Sequence, residues 1–420
     1  MAANEVELIT IGDELLLGFT IDTNGAFIAQ RLAEHGIAIT RRTSVGDTKE
    51  AITTAVREAL DRTGAVITTG GLGPTSDDLT RDAIADVFGR ELIADETHLA
   101  WMRERWKKRF GRDMPESNRR QAMIPEGARK LDNNYGSAPG VMIEDDRRRF
   151  AVLLPGVPRE LRGMTNDTLL PLLQERGLGS GGDLIKSLTL RTTGVAESLL
   201  ADRLEKAIGK DELALASLAY LPGIDGVDLR LTVRGRDATS TNAALRTVAA
   251  AIRSAVGESV YGENSDDLPA ILLDQCRSRH LRIAVAESCT GGLLGARLTT
   301  VPGSSDVFVG GVIAYSNSVK VEDLGVSERS LSEHGAVSGE VAREMAVGAQ
   351  KKFGVDIALS ITGVAGPGGG TPDKPVGLVW VCAAVGDRVE PRKIQSWGDR
   401  QEIRHRAAQA AMELCRRMLG

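Results

Sequence analysis

Apolar positions along this chain fall into two alternating rhythms. Short β-rich runs such as VELITIG (6–12) and GAVITTGG (64–71) end in glycine. Between and after them, TNGAFIAQRLAEHG (23–36) and TKEAITTAVREALDRTG (48–64) carry apolar residues three and four apart, with glycine at the exit, as amphipathic helices do. A further apolar run, FAVLLPGVPREL (150–161), reads as another central strand ending in a Pro-Gly turn. Strand and helix in alternation predict α/β layers around a largely parallel sheet. Glycines then crowd into QERGLGSGGDLIK (174–186), the composition of a linker, which sets a domain boundary at 172. Beyond it, LIKSLTLRTTG, AESLLADRLEKAIG, VDLRLTVRG and TNAALRTVAAAIRSAVG read strand, helix, strand, helix, a small α+β connector over 173–262. The third segment, 263–420, opens on a helix, and LRIAVAES, VFVGGVIAYSN, VDIALSITG and VGLVWVCAAVG are its strands. The expected architecture is therefore multidomain α/β: 1–172, 173–262 and 263–420.

Length agrees, because 420 residues exceed what one ordinary core organises. The formal charge of −5 argues against a phosphate backbone as the main partner. RERWKKRFGR (103–112) is a basic exception and reads as a solvated helix face, so nucleic acid is not expected as a partner. Cys276, Cys289, Cys382 and Cys415 show neither CxxC spacing nor a histidine cluster of zinc type, so reduced thiols are the default. With no leader pattern and no apolar run of spanning length, a cytoplasmic location without membrane contact is expected.

Three stretches carry candidate chemistry. In AVAESCTGGLLGARL (284–298), Ser288 and Cys289 stand side by side where a buried strand turns into a helix. Such a turn offers backbone N–H groups to a developing anion, although a serine there can equally be an N-cap. His280, His334 and His405 lie in no evident cleft motif, whereas Lys320, after GGVIAYSN, would serve as a base if burial lowered its pKa; otherwise it is an exposed helix-start lysine. SITGVAGPGGGTPDKPVG (360–377) is a glycine-rich loop that either wraps a phosphate or ribose or is a mobile turn. In ITTGGLGPTSDDLT (67–80), which is neither a Walker nor a Rossmann loop, the amides of Gly70 to Gly73 suit a diphosphate and Asp77 or Asp78 a divalent cation. The other reading is a helix entrance capped by Thr75.

Taken together and in order, AESCTGG, YSNSVK, HGAVS, TGVAGPGGG, KPVG and GDRQEIR closely resemble the C-terminal domain of the competence/damage-inducible CinA family. The resemblance implies a Ser-Lys amidohydrolase that converts nicotinamide mononucleotide to nicotinic acid mononucleotide and ammonia without a cofactor. Ser288 would attack the carboxamide, Lys320 take its proton, Tyr315 position or polarise, and Thr290 with neighbouring backbone cradle the oxyanion. Gly363, Gly366, Gly368, Gly369, Arg400 and Arg404 would hold the substrate. IGDELLLG with DTNG, TTGGLGPTSDD, NRRQA, APG and LPGVPRE is similar to the molybdopterin-binding-like domain that opens CinA proteins. That likeness implies metal-dependent ADP-ribose pyrophosphatase activity, with Asp13, Glu14, Asn24, Gly70, Gly71, Gly73 and Thr75 binding nucleotide and Asp77 and Asp78 holding a divalent ion. Arg120 and Ser137 stand where the family often has lysine and threonine, and arginine is a fork rather than a point charge. Two other readings follow from the same likeness: a pterin-binding protein of molybdenum-cofactor type, and a non-enzymatic competence or DNA-damage accessory, which the negative charge disfavours. Multidomain chains of this kind are commonly symmetric, so a homodimer is expected.

Overall fold

The computed structural model describes residues 4–179 and 184–420. Part of the linker assigned to 174–186, residues 180–183, lies outside the described residues. The chain divides into two compact units. One comprises residues 1–186 with 234–242, and the other 187–233 with 243–420.

The first unit is built on a six-stranded sheet. Its strands are β1 (Glu5–Ile11), β2 (Ala38–Val45), β3 (Ala65–Thr69), β4 (Arg129–Leu131), β5 (Gly140–Glu144) and β6 (Phe150–Leu154), in the order β2-β1-β3-β6-β5-β4. The first three pairings are parallel and the last two antiparallel, so the sheet is mixed. β1, β3 and β6 are buried on both faces, which is why they read as unbroken apolar runs. Even side chains (Val6, Leu8, Val152, Leu154) enter one core and odd ones (Ile9, Ile11, Ala151, Leu153) the other. The predicted helices form as Thr23–Glu34 and Lys49–Thr63. The second has Thr48 as its cap and Gly64, at φ 74°, closing it.

The second unit holds two sheets. Strands β7 (Leu184–Thr192), β8 (Ser217–Pro222), β9 (Val227–Gly235) and β10 (Val260–Glu263) lie in the order β8-β9-β7-β10, packed by the helices Glu197–Ala207 and Ala238–Val256. Strands β11 (Ile283–Glu287), β12 (Phe308–Ile313), β13 (Ile357–Gly363), β14 (Leu378–Val385) and β15 (Arg388–Gln395) lie in the order β12-β11-β13-β14-β15. β12, β11 and β13 are parallel and the remaining pairings antiparallel. Ile283, Val285, Ile357, Leu359 and Ile361 face the Leu268–Ser278 and Arg400–Leu419 helices, whereas Ala286 and Ala358 face Val341, Met345 and Ala349 of Gly339–Phe353.

β2, β4, β5, β8, β10 and β15 carry no strand signal that the patterning used. β10 is four residues long, and β15 is a polar edge strand containing Pro391; proline is tolerated at an edge because no ladder N–H is needed there. Among the described residues no helix is long and apolar enough to cross a membrane.

Candidate active sites

In the second unit, three parallel strands end at one edge of the sheet, and ligands of α/β sheets bind beyond the carboxyl ends of such strands. Ser288 follows β11, the segment from Ala314 to Lys320 follows β12, and the glycine-rich loop follows β13. Topology alone therefore gathers three stretches that are far apart in sequence.

Lys320 sits within the helix Asn317–Leu324, whose cap is Ser316, and its side chain is buried to 1% exposure. It is not the exposed helix-start lysine of the alternative reading. Its Nζ lies 3.1 Å from Ser288 Oγ, 2.8 Å from the Ala314 carbonyl and 3.4 Å from that of Tyr315. Burial lowers its pKa from the ordinary lysine value, because desolvation penalises the ammonium and none of these three contacts is a carboxylate. A buried amine of this kind can exchange a proton with the hydroxyl it touches.

Ser288 is not a cap either. The following helix, Leu293–Thr299, is entered through Gly292 at φ 95°, and its N-terminal amides are taken by the buried Glu287 carboxylate, which accepts from Gly292, Leu294 and Gly295 at 2.8–3.0 Å. The Ser288 amide donates to the Ile361 carbonyl. Among the described residues the amides of Cys289 and Thr290 have no acceptor, and the buried Thr290 hydroxyl has no partner. These are the donors left unpartnered in the turn that carries Ser288. Cys289 points into the core with Tyr261, Leu268, Ile361 and Ile403, and burial pushes its thiol up to about 12.

Arg404 donates through Nε and Nη2 to the Thr290 carbonyl, at 3.2 and 2.5 Å, and through Nη1 to Gln401. Its guanidinium is thus engaged in holding the Ser288 turn. Arg400 joins the Gly366 carbonyl at 2.6 Å to the hydroxyl of the exposed Tyr315 at 3.1 Å. Gly363 belongs to the β13–β14 ladder opposite Val379, where a Cβ would lie 2.7 Å from the Val379 side chain. Gly368 and Gly369 have open space or ordinary contact around them. Of the histidines, His405 pairs with Asp225 at 2.7 Å and His334 ends the Glu328–His334 helix.

The first unit shows the same logic. A cleft of about 730 Å³ opens beyond the carboxyl ends of β1, β2, β3 and β6, lined by Glu14, Asn24, Gly70, Gly71, Gly73, Asp77 and Asp78 among others. Asp13 and Thr75 do not line it. Asp13 instead exchanges hydrogen bonds with Asp47, its amide donating to the Asp47 carboxylate and the Asp47 amide to its own. Thr75 is no helix cap; the helix Thr80–Phe88 begins after Leu79. Its amide and hydroxyl, with the Gly73 amide, donate to Asp78 at 2.5–2.8 Å, so that carboxylate shapes the loop. Gly70 has φ 107° and would drive a Cβ to 2.1 Å from the Ile11 carbonyl, so no other residue fits there. Asn24 donates to the Gly156 carbonyl at 2.7 Å and leaves its own buried Oδ1 unpartnered.

Asp47 was missed from sequence although it lines the cleft. Burial, reinforced by the Asp13, Glu14 and Asp77 carboxylates, raises its pKa. Its position just past β2 is the signal that could have found it. Among the described residues no three His, Cys, Asp or Glu side chains converge as a cation cage. The donors facing the cleft are oxygens, which suits a hard divalent ion held by one or two carboxylates and completed by phosphate and water. Arg120 pairs with Asp82 at 3.0 Å, and Ser137 lines the cleft.

Comparison with known proteins gives a consistent assignment. Residues 7–175 match the profile of a probable molybdopterin binding domain, 187–262 that of the damage-inducible protein CinA KH domain, and 265–419 that of the CinA C-terminal domain. A CinA-like protein of Gemmatimonas aurantiaca is 55% identical over 414 residues, covering 98% of this chain and 96% of its own. One of Salinibacter ruber is 44% identical over 419 residues, covering 99% and 100%. The crystal structure of competence/damage inducible protein CihA from Agrobacterium tumefaciens is 37% identical over 35% of this chain and 90% of its own, with a TM-score of 0.34. With relatives of this identity matching it nearly end to end, and all three of its segments matched in order, the chain belongs to the CinA family.

Proposed function

We propose that the Ser288 site hydrolyses the carboxamide of nicotinamide mononucleotide. The single observation that carries the reading is the buried Lys320 amine 3.1 Å from Ser288 Oγ. Neutral Lys320 takes the Ser288 proton as Oγ attacks the carboxamide carbon, and the oxyanion is received by the free amides of Cys289 and Thr290. The Lys320 ammonium then gives its proton to the departing nitrogen, which leaves as ammonia. Water, deprotonated by the same amine, opens the ester, giving nicotinic acid mononucleotide and restoring Ser288. Arg400, Tyr315 and the Gly366 loop form one linked rim and bind the ribose phosphate; Arg404 keeps the turn in place. No step needs a cofactor. Ammonia release from nicotinamide mononucleotide by the whole chain tests this directly, and its absence in folded protein would remove the assignment.

The cleft of the first unit favours a second activity, cleavage of a nucleoside diphosphate sugar such as ADP-ribose. Its size suits a whole ligand, and the glycine-rich loop anchored by Asp78 presents backbone to a diphosphate. A divalent ion bound with the substrate would neutralise charge on the diphosphate; Asp77, Glu14 and Asp47 are the oxygens that would hold it, and Asp78 keeps the loop that receives the phosphates. Asn24, with its unpartnered Oδ1, is placed to accept from a ribose hydroxyl. Phosphate-bond cleavage of ADP-ribose, with and without chelator, is the test. A pterin ligand would compete in the same cleft and is distinguished by direct titration.

A further inference from the structure

We propose that Asp225, at the tip of the β8–β9 hairpin, is a positioning residue for the Ser288 site and acts through the two helices that hold the oxyanion turn. The proposal rests on the deamidase reading of that site and gives it a residue from outside the C-terminal domain. Residues 223–226 close the hairpin between the paired Pro222 and Val227. Its backbone is pinned. The Gly223 amide donates to the Gly226 carbonyl at 2.8 Å, and the Thr193 hydroxyl donates to the Asp225 carbonyl at 2.7 Å. A Cβ on Gly226 would lie 2.0 Å from the Thr192 carbonyl, so only glycine allows this close approach. The hairpin therefore presents the Asp225 carboxylate from a fixed place.

Asp225 Oδ1 lies 2.7 Å from His405 Nε2 and 3.4 Å from Arg297 Nη2, and its other oxygen lies 3.9 Å from Arg191 Nη2. Arg297 belongs to the helix Leu293–Thr299 and His405 to the helix Arg400–Leu419. The same two helices meet again at the turn. The Thr290 carbonyl accepts from the Leu293 amide, at the start of the first helix, and from Arg404 of the second. Leu293 stands one turn before Arg297, and Arg404 is the neighbour of His405. The helices are thus clasped twice, once by the Thr290 carbonyl and once by the Asp225 carboxylate. Removing the carboxylate leaves Arg297 with Gln409 at 2.8 Å and Asp267 at 4.0 Å, so the clasp loosens without falling open. Any drift of the helices reaches the Thr290 peptide, whose amide receives the oxyanion with that of Cys289 in the proposed reaction. Backbone donors cannot follow a moving target, and a displacement of about 1 Å can cost about 10²-fold in rate.

Steady-state ammonia release from nicotinamide mononucleotide by the full chain tests the clasp. Asp225→Ala is expected to lower kcat about three- to thirtyfold and to leave KM within about twofold, because a long arginine such as Arg400 can follow the phosphate by changing rotamer. Asp225→Asn keeps an acceptor and loses the charge, so its kcat should fall between the two; it carries the test if the alanine variant does not fold. Arg416→Ala is the control. Arg416 lies on the same helix about 16 Å beyond His405 and donates to the Glu258 carbonyl, so its loss should lower Tm with kcat unchanged. An unchanged kcat in folded Asp225→Ala, a rise in KM alone, or an equal fall of kcat in Arg416→Ala would each overturn the proposal. Acylation of Ser288 by p-nitrophenyl acetate, read as p-nitrophenol release with the adduct located by mass spectrometry, separates it from the deamidase reading. Slower acylation in Asp225→Ala, from a parent that releases no ammonia, keeps the clasp and removes the deamidase assignment. Equal ammonia release by parent and variant keeps the reaction and removes the clasp.

Discussion

Replacing Lys320 by methionine removes an amine while keeping an unbranched side chain of similar length. Three contacts of Nζ disappear, to Ser288 Oγ, the Ala314 carbonyl and the Tyr315 carbonyl. Each neutral hydrogen bond contributes about 1 kcal/mol net, but burying an amine carries a desolvation cost of its own, so the two effects oppose one another. Folding stability should therefore shift by no more than about 2 kcal/mol, a few degrees in Tm for a unit of this size. Turnover should behave differently. Loss of a general base costs about 10²–10⁴-fold, and about 10³-fold corresponds to roughly 4 kcal/mol of barrier. If Ser288 and Lys320 act as one unit, as proposed, the double variant Ser288→Ala/Lys320→Met should be no slower than Ser288→Ala alone. The parent enzyme should lose kcat/KM as acid protonates the amine, with that limb below the ordinary lysine pKa of 10.5 because burial lowers it. Stability has the matching sign. Between the lowered folded pKa and the unfolded one, the unfolded chain binds the extra proton, so the Lys320 contribution is present above the unfolded pKa and lost as pH falls through the folded one. The methionine variant should lack that slope. Ammonia release measured across pH, with thermal melts on the same samples, decides the matter. A Lys320→Met enzyme within tenfold of the parent, or single-variant losses that multiply in the double, would refute the pair as base and nucleophile.

Cys289→Ala should keep most deamidation and lose some stability, since the thiol is buried with its pKa at about 12; a dead but folded variant would move the nucleophile to sulfur. Asp78→Asn should suppress ADP-ribose cleavage by loosening the Gly73–Thr75 loop and leave ammonia release intact, with phosphate-bond cleavage read by chromatography. Chelator should stop ADP-ribose cleavage and spare deamidation, and cleavage that survives metal removal would end the divalent-ion proposal. A fragment of residues 263–420 should still deamidate but melt several degrees lower. It loses Asp225, which meets His405 and Arg297 at 2.7 and 3.4 Å, and Thr193, which meets Gln409. Equal melting temperatures would show that these contacts add no stability.

The α/β alternation and most strands could be read from the chain because each buried strand or helix face carries its own period: Ile283 and Val285 against Ala284 and Ala286, or Ile52, Val56 and Ala59 along one helix. Motif order identified Ser288 and Lys320 together. What local pattern could not supply was anything depending on which strand lies beside which. Edge strand β15 is polar, and β10 is too short to show a period. Asp47 belongs to the cleft only because β2 pairs in parallel with β1 and ends beside it. The division of labour between the neighbours Ser288 and Cys289 was decided by the packing of β11. Glu287 takes the helix amides, Cys289 joins the core with Ile361 and Ile403, and Ser288 Oγ meets an amine thirty-two residues further along the chain. Local sequence determines the rhythm of burial, but only the tertiary fold removes water from Lys320, and that desolvation is what lowers the pKa of its amine.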